Sequence, residues 1–258
     1  MKVTFLGTGT SQGVPVIGCE CEVCRSMDYR DKRLRSSIHV EANGPMAIGQ
    51  SLIIDTGPDF RQQALREDIK HVDAILFTHG HKDHTAGLDD VRAYNFLQKM
   101  DMPIYGRREA LDQIRVEFAY AFEEKKYPGI PQLLLHEIES EPFSVNGLPV
   151  VPLPVMHHQL PVLGFRIGAF SYITDANFIS ESTYEKLKGT EVLVINALQR
   201  EKHVSHFNLE EALIEASKIG AAKTYFTHIS HKLGKHKQVE KELPVSVALA
   251  YDGLSIVL

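Results

Sequence analysis

Short apolar runs separated by turn residues dominate the first third of the chain. Val3–Leu6, Ile38–Val40, Ser51–Asp55 and Ala74–Thr78 predict strands, the last cut short near Gly80. The period then lengthens, and Leu88–Gln98 and Arg107–Phe122 carry helical patterns. From Leu133 to Thr174 the pattern is strand-like again, punctuated by Asn146-Gly147, Pro152, Pro154 and Gly164. A helix at Glu181–Leu187, a strand at Glu191–Ile195, a helix at Leu209–Lys218 and a strand at Lys223–Thr227 follow. Short strands at Ser246–Leu249 and Ser255–Val257 close the chain. Two groups of strands, each followed by helices, predict an α/β (α+β) chain with two sheets packed together and helices outside. No linker, low-complexity tract or repeat divides the 258 residues, so residues 1–258 read as a single domain.

Charge and composition narrow the partners. Lys and Arg total 28 against 33 Asp and Glu, a net charge of −5, which offers no basic field for a long polyanion and disfavours nucleic acid. The start, Met1-Lys2-Val3-Thr4, lacks the pattern of a signal peptide, and no apolar stretch reaches membrane-spanning length. A cytoplasmic protein acting on a small molecule is expected, with no membrane partner and a homodimer left open.

The candidate chemistry sits at strand ends. Thr78-His79-Gly80-His81-Lys82-Asp83-His84 follows the apolar run Ala74–Phe77 and packs three histidines and a carboxylate into six residues. His79 and His81, two apart, can point the same way from an extended backbone, while Asp83 and His84 lie past the turn and can face a second ion. Three later ligand-type positions share this setting: the pair His157-His158 after Val150–Met156, Asp175 after Phe170–Thr174, and His228 after Thr224–Thr227. Cys19, Cys21 and Cys24 are all the cysteines of the chain. Three thiols make a poor disulfide framework, whereas three thiolates and one histidine make a tetrahedral zinc site, with His231 available as the fourth ligand.

Taken together, the chain resembles the metallo-β-lactamase superfamily. The match is to His79-Gly80-His81-Lys82-Asp83-His84, the later His, Ser171–Asp175 and Phe226-Thr227-His228, together with Phe5–Thr10 and Ile53–Gly57. The resemblance implies a four-layer αββα sandwich, two central mixed sheets flanked by helices. It also implies two divalent ions, zinc or manganese, with His79, His81 and His158 on one, Asp83, His84 and His228 on the other, and Asp175 bridging. A bridging water deprotonated to hydroxide would be the nucleophile. His158 is selected over His157 because the ligand in the phosphodiesterase branch precedes the Gly of the next strand, here Gly164, by six residues. His157 would then orient a ligand.

The cysteine loop, residues 18–25, narrows the resemblance. A Cys-x-Cys-x-x-Cys insert, then Arg35-Ser36-Ser37 and a terminal Thr227-His228-Ile229-Ser230-His231, is similar to the phosphoribosyl 1,2-cyclic phosphate phosphodiesterase family of the carbon–phosphorus lyase pathway. That family implies a structural zinc on Cys19, Cys21, Cys24 and His231, and a histidine assisting the leaving group, here His206 in preference to His203. The expected reaction is hydrolysis of a small cyclic phosphate or nucleotide phosphodiester, with Asp83 orienting the nucleophile. A tRNA 3′-processing nuclease and a thioesterase or lactonase of the same superfamily are the alternatives. Phe118, Tyr120, Phe122 and Tyr127 are candidates for a cap over the pocket.

Overall fold

The computed structural model describes residues 1–44, 47–123 and 127–258. Its strands are β1 (Lys2–Gly7), β2 (Ser37–Gly44), β3 (Ala47–Ile54), β4 (Ala74–Leu76), β5 (Met102–Gly106) and β6 (Leu133–Glu137). They continue as β7 (Phe143–Val145), β8 (Leu148–His157), β9 (Leu160–Ile167), β10 (Phe170–Tyr172) and β11 (Phe178–Ile179). The last are β12 (Val192–Asn196), β13 (Lys223–Thr227), β14 (Val247–Leu249) and β15 (Ser255–Val257). The helices are α1 (Phe60–Arg66), α2 (Lys82–Thr85), α3 (Arg92–Gln98), α4 (Arg108–Glu117), α5 (Glu181–Leu187), α6 (Leu209–Ile219) and α7 (His236–Val239). Among the described residues no helix is long and apolar enough to cross a membrane.

One sheet runs β15-β1-β2-β3-β4-β5-β6 and the other β11-β8-β9-β10-β12-β13-β14, with β7 paired to β8. Both are mixed: β3 to β6 are parallel, as are β10, β12, β13 and β14, while the other pairings are antiparallel. Side chains alternate across a strand, and the sequence uses both faces. Leu52, Ile54 and Leu76 of the first sheet meet Leu163, Phe165 and Val194 of the second in a shared core. The intervening Ile53 and Ile75 turn outward to Phe60, Tyr94, Leu111 and Ile114 around α1, α3 and α4. On the far side, Leu193, Ile195 and Phe226 pack against Leu187, Ala212 and Ala216 of α5 and α6. The layers are therefore helix, sheet, sheet, helix, as expected.

Two elements escape the sequence pattern. Strand β5 lies between β4 and β6 despite Pro103, which marks most segments as non-strand. Helix α1 carries few apolar positions, and its burial comes chiefly from Phe60 and Gln63. The helix expected over Arg107–Phe122 stops at Glu117 and passes into a 3₁₀ turn over Ala119–Ala121.

Two close backbone approaches seat the histidine segment. The Thr56 amide donates to the His84 carbonyl and the Gly87 amide to the Thr56 carbonyl, at 2.8 and 2.9 Å. A Cβ on Gly57 would overlap the Asp83 carbonyl oxygen, and one on Gly87 would overlap the Gly57 carbonyl oxygen. At the same edge the Leu163 amide of β9 donates to the Thr78 carbonyl at 3.0 Å, joining the two sheets beside the site. Gly57→Ala is expected to lower unfolding free energy by about 1–3 kcal/mol in urea denaturation, because a rigid carbonyl must move to admit the methyl group.

Candidate metal centre

The buried β4 ends at Leu76, and the chain runs on through Thr78 and turns at Gly80 into the single-turn helix α2. His79, His81 and His157 offer ligand atoms within 4.8 Å of one another, and so do Asp83, His84, Asp175 and His228. Asp175 stands between the groups. Its Oδ2 lies 3.7 Å from His79 Nε2, 3.3 Å from His84 Nε2 and 3.5 Å from His206 Nε2, while Oδ1 is 2.8 Å from His228 Nδ1. Ligand atoms sharing one tetrahedral ion with bonds of about 2.0–2.1 Å sit roughly 3.4 Å apart, so most of these gaps suit an ion better than a direct hydrogen bond. The Nε2 atoms of His79, His84 and His206 are buried with no hydrogen-bond partner. Buried polar atoms are rarely left so, and divalent ions bound there would satisfy those of His79 and His84.

Backbone strain and outer hydrogen bonds fix these side chains. Asp55, Asp175 and His228 have φ of 64°, 52° and 55°, a left-handed conformation costly for residues other than glycine. Each follows the end of a strand and turns its side chain into the site. His84 Nδ1 is 2.7 Å from Asp55 Oδ2, and Asp55 also accepts from the Thr78 amide and hydroxyl at 2.9 and 2.8 Å. This leaves His84 Nε2 facing Asp83 and Asp175, a carboxylate–imidazole arrangement that orients a metal ligand. The Ser37 hydroxyl donates to the Asp55 carbonyl at 2.8 Å and holds the strained residue from behind.

The electrostatics are those of a site waiting for cations. Burial pushes the His79 and His157 imidazoles below the usual range, keeping both neutral and able to ligate. Burial also resists charge on His84, but the carboxylates of Asp175, Asp55 and Asp83 outweigh it and hold His84 well above the usual range. Burial disfavours the Asp175 carboxylate as well, yet His228 and His84 overcome it and hold Asp175 well below. A divalent ion held by His84 Nε2 would take the place of the proton that these carboxylates favour there.

The expectation for His158 is corrected by the geometry. His157 is the last residue of β8 and pairs with Leu160 of β9, so His158 and Gln159 form a two-residue turn. Adjacent residues cannot both face the site. His157 faces it, with ring centroids 5.2 Å from His81 and 5.7 Å from His79. His158 adopts φ 55°, is exposed, and donates its amide to Asn177 Oδ1 at 2.8 Å. His157 Nδ1 meets the Ser205 carbonyl at 2.9 Å, which directs Nε2 toward the cluster. Spacing to Gly164 could not reveal this, because it does not say where the hairpin closes.

His206 lies beside Asp175. Asn208 caps α6 in a capping box with Glu211, and His206, two residues earlier, faces Asp175. Burial lowers its imidazole to about 4. Its Nδ1 lies 3.0 Å from Ser205 Oγ and 3.1 Å from His203 Nδ1, so His203 stands behind His206, away from the clusters. The aromatic cap does not form as expected: Phe118 and Phe122 pack into the core under α4, and Tyr127 is exposed.

The cysteine loop converges as well. Sγ of Cys19, Cys21 and Cys24 lie 3.3, 3.3 and 3.5 Å from His231 Nδ1. A zinc with bonds of about 2.3 Å to sulfur and 2.0 Å to nitrogen places those atoms roughly 3.5 Å apart. The Cys24 amide, donating to Cys21 Sγ, pulls the Cys21 thiol down to about 6, while burial pushes Cys24 up to about 11. The Thr10 amide donates to the Ile229 carbonyl and the Ile229 amide to the Thr8 carbonyl, joining the loops after β1 and β13, the latter carrying both His228 and His231.

A β-lactamase superfamily domain matches residues 50–229, which spans every active-site position named above. The chain belongs to the β-lactamase superfamily. A solved structure from this superfamily, described as a new diphosphatase from the PhnP family, is 40% identical, has a TM-score of 0.91, and aligns over 99% of this chain and 96% of that one. An octanoyltransferase of Porphyromonas gingivalis W83 is 40% identical over 260 residues, all of this chain and 52% of that protein, so the chain spans about half its length. Zinc-bound PqqB from Methylobacterium extorquens, at 20% identity and a TM-score of 0.78 over the whole of both chains, shares the fold. The superfamily fold thus carries clusters of side chains that could hold divalent metal ions.

Two substitution experiments follow from the geometry. In metal-reconstituted protein, His157→Ala is expected to lower the bound divalent metal by about one ion per chain, and His158→Ala to leave it unchanged, by elemental analysis. Cys24→Ser is expected to release one zinc and lower the melting temperature by several degrees in calorimetry, since a structural zinc contributes folding energy.

Proposed function

We propose that the chain is a phosphodiesterase of small substrates, hydrolysing a cyclic phosphate or a nucleotide-type phosphodiester. The observation that carries this reading is His206, whose buried and unpartnered Nε2 reaches the point where the two ligand clusters meet. It adds to a full ligand set a donor suited to a phosphate oxygen. The 40% identity to a PhnP-family diphosphatase supports the same reaction class. The net charge of −5 favours a small substrate over RNA.

We assign one divalent ion to His79, His81 and His157, a second to Asp83, His84 and His228, and the carboxylate of Asp175 to both. Zinc and manganese both suit imidazole and carboxylate ligands. A structural zinc is assigned to Cys19, Cys21, Cys24 and His231. When bound, the ion pair supplies Lewis-acid activation of water and of the phosphate. Asp83 accepts a hydrogen bond from the attacking water and aims it at phosphorus from the side opposite the leaving oxygen. His206 donates from Nε2 to the oxygen on which charge develops. His157, held by the Ser205 carbonyl, and His206, on the next residue, are positioned by one short segment.

A second reading, chemistry on an octanoyl group, comes from the 40% identity to the Porphyromonas octanoyltransferase, about half of whose length the chain spans. The discriminating experiment gives the metal-loaded protein bis(p-nitrophenyl) phosphate, ribose 1,2-cyclic phosphate, an unprocessed tRNA and an octanoyl thioester. The phosphodiesters are expected to turn over fastest. His206→Ala should lower kcat on the cyclic phosphate by roughly 10²–10³-fold while retaining its metal. Preference for the thioester, or a His206→Ala protein as fast as wild type, overturns the proposal.

A further inference from the structure

The cysteine loop has little apolar support of its own. Its cluster comprises Val14, Val23 and Cys24, with Val16, Cys19 and Cys21 partly buried against them, and it stands apart from the three larger cores. Ile17 and Met27, on either side of the cysteines, are almost fully exposed. Lys235 pairs with Glu22 at 2.8 Å, and Lys32 Nζ donates to the Cys24 carbonyl at 3.0 Å. Contacts this exposed contribute about 0–1 kcal/mol each, so the order of the loop depends on the sulfurs and His231.

Those sulfurs are also open to attack. Cys19 and Cys21 are half-buried, while Cys24 is buried behind them. The three sulfurs and the His231 nitrogen all lie within 4.8 Å of one another. The Cys24 amide donates to Cys21 Sγ and the Val16 amide to Cys24 Sγ, each at 3.4 Å. Such donors favour the thiolate, which is the oxidisable form. Cys21 and Cys24 end a four-residue turn, closed by the Arg25 amide on the Cys21 carbonyl at 3.0 Å. A turn of this kind keeps its ends within about 7 Å, the span that a disulfide bridges.

The consequence reaches His228. His231 lies three residues beyond it, and His228 holds a left-handed φ of 55°. The Ile229 amide donates to the Thr8 carbonyl and the Ser230 amide to the Leu198 carbonyl, at 2.8 and 2.9 Å. The far end of this strained segment is fastened by the ligand bond of His231.

We propose that the cluster of Cys19, Cys21, Cys24 and His231 is a redox latch: a peroxide joins Cys21 to Cys24, the zinc leaves, and His228 loses its rigid support. The Cys21 thiolate attacks one peroxide oxygen, forming an S–O bond as the O–O bond breaks and hydroxide departs. The Cys24 thiolate then attacks that sulfur, forming the S–S bond and expelling a second hydroxide. Two thiolates are oxidised by two electrons and one peroxide is reduced. Cys19 and His231, left alone, are two ligands short of a structural zinc site. The inference rests on the zinc assigned to this loop and is independent of the substrate class.

The fully metal-loaded protein is treated with hydrogen peroxide. One zinc per chain is expected to appear on a chromogenic chelator while free thiols fall from three to one, with Cys19 the residue still alkylated in peptide mass mapping. Dialysis against a chelator, followed by elemental analysis, should then remove one active-site ion at roughly 10-fold lower chelator concentration than from untreated protein. Dithiothreitol with added zinc should restore both metal contents. An organomercurial, which caps the thiols without oxidising them, should release the same zinc and weaken the same ion. Retention of the zinc, a disulfide that uses Cys19, or active-site ions held as tightly as before overturns the latch. Protein that carries no zinc on its cysteines before treatment overturns the structural-zinc assignment together with the latch.

Discussion

Asp175, three residues beyond the end of β10, adopts a left-handed conformation with its side chain 3% exposed, and the nitrogens of His79, His84, His206 and His228 surround its two oxygens. A buried carboxylate without compensating charge costs several kcal/mol, so its surroundings must supply cations. The protein meets that demand by ending strands of both sheets at one edge. β4 delivers His79 from the first sheet, and β8, β10 and β13 deliver His157, Asp175 and His228 from the second. The sheets are held together beside the site by the core of Leu52, Ile54, Leu163 and Phe165, and by the bond from Leu163 to Thr78. Close approaches at Gly57 and Gly87 then fix the helix carrying Asp83 and His84.

Much of this is legible in the sequence, for identifiable reasons. The segment His79–His84 combines ligand density with an apolar strand before it, and local spacing alone brings its side chains together. The near-continuous apolar runs Leu52–Ile54 and Val162–Phe165 are enough to predict sheets buried on both faces. The pair His157-His158 shows the limit. The choice between them depends on the residue at which the β8–β9 hairpin turns, and a shift of one residue exchanges the faces. Strand β5 is concealed as well, by Pro103, and α4 after it reaches the histidine segment by packing Ala110 and Gln113 against Gly80.

The cysteine loop acts on the active site through the backbone. His231 lies three residues beyond His228, and the intervening Ile229 is tied to Thr8 and Thr10. Behind it, the buried Arg33 donates to Thr8 Oγ1 and the Ala250 carbonyl at 2.8 and 2.6 Å, and lies 3.2 Å from His236 Nδ1. Burial lowers this guanidinium to about 10, with Asp252 and Asp31 nearby to offset the cost of desolvating it. Asp31 accepts the His236 amide at 2.7 Å. The cysteine loop, the loop after β13 and the start of α7 are thus joined by polar contacts, with the candidate ligand His228 at their edge.

The most direct measurement is a crystal structure of the metal-loaded protein with anomalous data at the zinc and manganese edges. Two ions about 3.5–4 Å apart are predicted between the sheets, with His157 Nε2 on one, Asp83 and His228 on the other and Asp175 on both. A third, zinc, is predicted within about 2.3 Å of the three sulfurs and 2.0 Å of His231. A single ion at the strand ends, or His158 in place of His157 in its coordination shell, would contradict this arrangement.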